Sequence, residues 1–258
     1  MDDVGYRLYT LYTTNRGEVS SMTHNEFEQP IGDPVGGWTA RPRPPRTPMT
    51  GRYCRVEPLN LDRHGTQLHA ANSEAPDNRR WTYLGADGFA DVGAYRHWLG
   101  QASAGDDPLF HAIVDGASNH AVGVAAYLRI DSANGVIEVG HINYSSRLQQ
   151  TRAATEAMFL MMRRAFDELG YRRYEWKCDS LNEPSRRAAA RFGFQFEGTF
   201  RQAIVYKGRN RDTAWFSILD REWPALRGAY EQWLAPGNFD DQGRQRRSLA
   251  DMVAAARA

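Results

Sequence analysis

The sequence predicts an α/β (α+β) fold built around one mixed sheet. Three observations carry that expectation. Apolar residues recur at two-residue spacing in some segments and at three- to four-residue spacing in others, and the two kinds alternate along the chain. Three successive strand patterns, 109–114, 122–130 and 136–144, are separated only by turn residues, which implies an antiparallel meander. The chain of 258 residues is 41% hydrophobic and 24% charged, so it can bury a core without metal or disulfide staples.

The elements follow in order. Residues 6–12 alternate weakly and read either as a strand or as a poorly ordered arm. Residues 28–50 hold Pro30, Pro34, Pro42, Pro44, Pro45 and Pro48, half of the 12 prolines, and read as an extended lead-in. A body of about 51–234 begins with a strand at 53–59 and helices at 62–72 and 92–102. The meander comes next, its last hairpin marked by Asn134-Gly135. Ala154, Ala157, Met158, Met161, Ala165, Phe166 and Leu169 then define an amphipathic helix that Gly170 is placed to end. A strand at 171–178, a helix at 182–192 closed by Gly193, strands at 194–206 and 212–219 and a helix at 224–234 complete the body. The short amphipathic run 248–256 lies in what reads as a C-terminal tail, 235–258.

Charge and cysteine content exclude several functions. Lys+Arg number 32 against 31 Asp+Glu, a balance unlike the basic excess of a general nucleic-acid binder. Any anion site must therefore be built locally. No apolar stretch approaches the roughly 18 residues of a membrane helix. The two cysteines, Cys54 and Cys178, have no metal-binding or disulfide-framework spacing. The start of the chain lacks the basic and apolar regions of a secretory signal, so the expected location is the cytoplasm.

The chemistry concentrates between Val136 and Ala157, where a strand, a loop and a helix follow one another. A helix starting directly after a strand offers unpaired N–H groups and the positive end of its dipole to a phosphate. Arg147 and Arg152 add charge there. The run Gln149-x-x-Arg152-x-Ala154-Thr155-Glu156-Ala157 is followed downstream by Asn182-x-x-Ser185, a short helix and Gly193-Phe194. In this order the two runs resemble the signature of the GNAT acetyltransferase superfamily, and the Ala-Thr-Glu-Ala tail resembles its ribosomal-protein N-terminal acetyltransferase branch. The resemblance spans about residues 51–234.

That resemblance implies a mostly antiparallel mixed sheet with helices on both faces. It implies acetyl-CoA as co-substrate, no metal, and direct attack of a primary amine on the thioester. The strand 136–144 would pair with the pantetheine arm and splay from 171–178, with Ile142 and Tyr144 flanking the contact. Gln149, Gln150, Thr151, Arg152, Ala153 and Ala154 would bind the cofactor, as would Asn182, which is also an N-cap. The general base is either Glu138 or His141; the strand period places them on opposite faces. Ser185 matches the position of the leaving-group acid. Arg152 and Gln150 stand where the family favours glycine, so Arg152 either points outward or contacts phosphate directly. Arg186, Arg187 and Arg191 read as a solvated helix face or as a source of one phosphate contact. Cys178 reads as a buried strand residue. The acceptor is an amine-bearing small molecule or a protein N-terminus, and a homodimer is compatible with the resemblance. A catalytically inactive acyl-CoA-binding module and a scaffold using the proline-rich segment are the competing readings.

Overall fold

The computed structural model describes residues 23–257. The expected strand at 6–12 lies outside them. The chain divides between Thr39 and Ala40 into two units. The first contains a small antiparallel ribbon, β1 (Thr23–His24) with β2 (Pro30–Ile31).

In the second unit the period-two segments pair into one eight-stranded sheet. Its strands are β3 (Met49–Thr50), β4 (Cys54–Pro58), β5 (Leu109–Asp115), β6 (Ala121–Asp131), β7 (Val136–Tyr144), β8 (Arg173–Asp179), β9 (Gln195–Tyr206) and β10 (Arg209–Leu219). The spatial order is β3-β4-β5-β6-β7-β8-β10-β9. Every pairing is antiparallel except β7 with β8. A parallel neighbour requires a crossover, and the amphipathic helix after β7 supplies it.

Helices cover both faces. On one, α1 (Leu61–Ser73) and α2 (Val92–Ala102) bury Leu68, Tyr95 and Leu99 against Phe110, Val124 and Ala126. Asn60 and Asp91 cap them, accepting from the N–H groups of Arg63 and Ala94. On the other face, α3 (Arg152–Arg163), α4 (Glu183–Arg191), α5 (Trp223–Leu234) and α6 (Leu249–Arg257) enclose Ile137, Val139, Tyr127 and Trp176. The strand period thus sends alternate residues of β5 and β6 to two separate cores, Leu109, Ile113 and Tyr127 to one and Phe110, Ala112 and Ala126 to the other.

Three features differ from the sequence expectations. The helix expected to run to Leu169 becomes a π turn at Arg164–Glu168. The turn carries Arg164 inward, where its guanidinium donates to the carbonyls of Thr47 (2.6 Å) and Pro48 (3.3 Å). Residues 40–50 are accordingly part of this unit, since Arg46 also pairs with Asp106 and β3 joins the sheet. The segment 235–258 is no detached tail either. Leu249, Met252 and Val253 are buried in the main core, and α6 packs on α5. Among the described residues no helix is long and apolar enough to cross a membrane.

Candidate active site

β7 and β8 pair from Val136↔Arg173 to Val139↔Trp176 and no further. Beyond that point they splay, as the resemblance implied, and a cleft of about 1490 Å³ opens between them. The edge of β7 that faces β8 carries no ladder bonds from Gly140 to Tyr144. On its other edge β7 is bulged: the partners jump from Ala126↔Gly140 to Val124↔Asn143, and His141 takes a left-handed φ of 48°. An inserted residue resets the alternation of side chains. Glu138 and His141 therefore line the same cleft, which corrects the expectation of opposite faces.

Their surroundings differ. Glu138 is buried, and its Oε2 accepts from Arg129 at 2.7 Å and from Lys177 at 2.9 Å. Lys177 is shared with Glu175 at 2.8 Å and sits 3.6 Å from the centroid of the Trp215 ring. His141 packs on Phe110 with ring centroids 5.0 Å apart. Burial, and secondarily the charge of Arg129, push its pKa below the ordinary imidazole value. The imidazole is thus neutral at neutral pH and able to accept a proton, whereas the Glu138 carboxylate is already held by two cations.

At the opposite lip, Asn182 caps α4 by accepting from the Ser185 N–H. The Ser185 hydroxyl accepts from the Trp176 indole N–H at 3.0 Å. Asn182 and Ser185 line the cleft, as does Cys178. Burial raises the Cys178 thiol, which leaves it protonated and poorly nucleophilic.

The β7–α3 loop forms the floor. Thr151 caps α3, its Oγ1 accepting from the Ala154 N–H at 3.1 Å and donating to the Leu148 carbonyl at 2.7 Å. Gln150 holds a φ of 61°, a backbone region that glycine enters without strain. Gln149 donates to the Tyr144 carbonyl. Arg152 neither points to solvent nor blocks the loop: its guanidinium lies 4.8 Å from the centroid of Tyr53 and 4.8 Å from that of Phe239. Ile142, Tyr144, Gln149, Gln150, Thr151, Arg152 and Ala154 all line the cleft. Ala153 instead turns into the core. Arg147 departs from expectation, because it pairs with Glu74 on the exposed surface.

Several cleft residues carry no sequence signal. Arg191 leaves the solvated face expected for it, donating to Thr155 Oγ1 at 3.2 Å and lying 5.3 Å from the Trp233 ring. Phe239 and Gln245, from the segment read as a tail, also line the cleft. These contacts join elements distant in the chain, so no local pattern announces them. Glu156 is different again. It accepts from the N–H groups of Arg52, Tyr53 and Cys54 at 2.6–2.8 Å and thereby fastens β4 to α3. Its place in the Ala-Thr-Glu-Ala run is structural.

Among the described residues, seven cations (Arg79, Arg80, Arg129, Arg152, Lys177, Arg191 and Arg211) and two carboxylates (Glu138 and Asp179) line the cleft. This excess, an unpaired strand edge and a capped helix N-terminus suit a long ligand with phosphates at one end. Buried polar atoms without partners, among them the Asn143 amide, Tyr144 Oη and Ser145 Oγ, lie along the same strand end. Among the described residues no His, Cys, Asp and Glu cluster suits a metal ion. The acetyltransferase (GNAT) domain family model matches residues 57–195. The chain belongs to the GNAT acetyltransferase family. It is similar to a crystal structure of a GCN5-related N-acetyltransferase from Brucella melitensis, with 53% identity and a TM-score of 0.84 over 85% of this chain and 100% of that one. It is 28% identical to the uncharacterized N-acetyltransferase p20 of Bacillus licheniformis over 55% of this chain and 80% of that protein. The microcin C7 self-immunity acetyltransferase MccE, solved with acetyl-CoA and AMP, shares the GNAT fold at 18% identity (TM-score 0.56; 66% of this chain and 93% of that one). Acetyl transfer from acetyl-CoA is the activity of this GNAT enzyme.

Proposed function

We propose that the protein acetylates a primary amine by its direct attack on the thioester of acetyl-CoA. The observation that carries this reading is the splay of β7 from β8, which ends at the capped start of α3. The free edge of β7 at 140–144 takes the amides of the pantetheine arm, in the manner of an added strand. An N–H of that edge beside Ile142 polarises the thioester carbonyl and stabilises the oxyanion. The first N–H groups of α3, with Arg152 and Arg191, receive the phosphates. Gln149, Gln150 and Thr151 shape that loop.

His141 takes the proton from the attacking amine. Glu138 acts as a positioning residue, fixing Arg129 and Lys177 along the acceptor path. Ser185 relays a proton to the departing thiolate, giving its hydroxyl proton while taking one from the solvent of the open cleft, and the Trp176 indole fixes its orientation. Asn182 holds α4 at the lip. The acceptor is a small amine or a protein N-terminus.

Binding of acetyl-CoA is tested by thermal shift. At 100 times Kd the ligand contributes about 2.7 kcal/mol. For a unit of this size that corresponds to a rise of about 5–10 °C in Tm. Release of CoA thiol when an amine is added then reports transfer. Binding without thiol release across N-terminal peptides, amino acids and small amines supports the inactive acyl-CoA-binding module instead. No shift at millimolar acetyl-CoA in folded protein rejects both.

A further inference from the structure

The wall of the cleft on the α1/α2 face is made by β10. Ala214, Phe216 and Ile218 of this strand face the α3 core, so Thr213 and Trp215 face the other way, into the cleft that Arg211 also lines. Trp215 stacks on Phe200, ring centroids 4.4 Å apart, and lies opposite Lys177 in the ladder. Arg152 opens α3 and Arg191, at the end of α4, reaches its first turn through Thr155; both lie on the opposite side of the sheet, beside Phe239 and Trp233. The cofactor phosphates therefore do not account for Arg211.

All three β10 residues present buried donors without a partner: Arg211 Nε, Thr213 Oγ1 and Trp215 Nε1. Thr213 is only 3% exposed. Among the described residues Arg211 has no carboxylate within ion-pair distance; its guanidinium lies 5.9 Å from the Tyr206 ring. The nearby Asp179 is engaged, accepting from Tyr206 Oη at 2.7 Å and from the Leu181 N–H at 2.9 Å. A roof closes over this wall. Lys207, at the β9–β10 turn, donates to the Trp81 carbonyl at 2.7 Å and pairs with Asp87 at 2.9 Å. A buried donor left unmade is costly, and a planar guanidinium beside a hydroxyl and an indole N–H matches a group with several lone pairs and negative charge.

We infer that the acceptor amine also carries an oxyanion, a carboxylate or a phosphate, which Arg211, Thr213 and Trp215 hold while the amine faces His141. This rests on the transferase reading above. Amines lacking an anion leave those donors unpaired, and polycationic amines meet Arg211, Lys177 and Arg129 as repulsion.

Matched acceptors test it: an amino acid against its amide, and an aminoalkyl phosphate against the corresponding amino alcohol. Thiol release is followed at saturating acetyl-CoA for the wild type, Arg211→Gln and Arg211→Lys, with the acetyl-CoA thermal shift measured in parallel. The oxyanion-bearing member is expected to have the higher kcat/KM by about tenfold or more. Which pair shows the preference separates carboxylate from phosphate. Arg211→Gln should bring the ratio near one and Arg211→Lys should keep part of it, both with an unchanged acetyl-CoA shift. The same ligands are titrated against tryptophan fluorescence, so the anion site is read even without turnover. Equal or better use of the neutral partners, a preference that survives Arg211→Gln, or the absence of both oxyanion-dependent turnover and saturable quenching overturns the inference. Loss of the wild-type acetyl-CoA shift counts against the transferase reading alone.

Discussion

His141 and Glu138 sit three residues apart on one strand, and an inserted residue decides their relation. A strict period of two separates them; the bulge at 141 brings both to the cleft. The local pattern could not reveal this, because a bulge is defined by the partner strand β6. Asn182 was legible for the opposite reason, since an N-cap bonds within three residues of itself. Arg191 was not, because Thr155 and Trp233 draw it inward from other helices. At this scale the expected consequence concerns proton transfer. His141 has its pKa lowered by burial and by Arg129, so the imidazole is neutral above the ordinary value of about 6.5 and protonates only below it. Replacing it by Gln should lower kcat/KM by about 10²–10⁴ at pH 8. As pH falls through the depressed pKa the wild-type base is lost, and the ratio of wild type to His141→Gln should shrink toward one. Using the ratio cancels the titration of the acceptor amine itself. A ratio that stays constant across pH 5–8 assigns the proton elsewhere.

Elements with a clean internal period are legible in the sequence, their ends included. β7 runs Val136–Tyr144 and α2 runs Val92–Ala102, as expected. What escaped was the fate of ends and tails. The π turn at Arg164–Glu168 depends on the carbonyls of Thr47 and Pro48, over a hundred residues upstream. α6 has a readable apolar face, but nothing local says that α5 and the neighbourhood of Gly193 await it. Arg257 at its end donates to the Gly193 carbonyl, and a Cβ at Gly193 would lie 3.4 Å from Val253. The element is therefore part of the enzyme's core, with Leu249 fully buried. Leu249→Ala should destabilise by about 2–5 kcal/mol. Chemical denaturation should show an earlier midpoint with an unchanged slope. A variant indistinguishable from wild type would mean that α6 is dispensable to the unit. Phe239 and Gln245 lie on the connection that α6 anchors, so the same substitution should also weaken acetyl-CoA binding.

Across the whole molecule the charges nearly cancel, with 32 basic side chains against 31 acidic ones. The cleft does not share that balance: among the described residues seven cations and two carboxylates line it. A near-neutral chain thus keeps a strongly positive site without the overall field that attracts nucleic acid indiscriminately. Three phosphates, with a terminal one near −2, bring about four negative charges to that site. Arg152 and Arg191 are fixed between aromatic rings, and among the described residues no carboxylate pairs with them. Their attraction to phosphate should nevertheless be screened, because the cleft is open to solvent and the Debye length shrinks from about 10 Å at 0.1 M salt to about 3 Å at 1 M. Acetyl-CoA affinity measured by calorimetry should accordingly fall on the order of tenfold over that range, worth about 1.4 kcal/mol. The double variant Arg152→Gln/Arg191→Gln should bind more weakly at 0.1 M and show a flatter salt dependence. The Tm of the ligand-free protein should change little, which separates loss of binding from loss of fold. An affinity indifferent to salt in the wild type, or a double variant with the wild-type slope, would place the phosphates away from the start of α3.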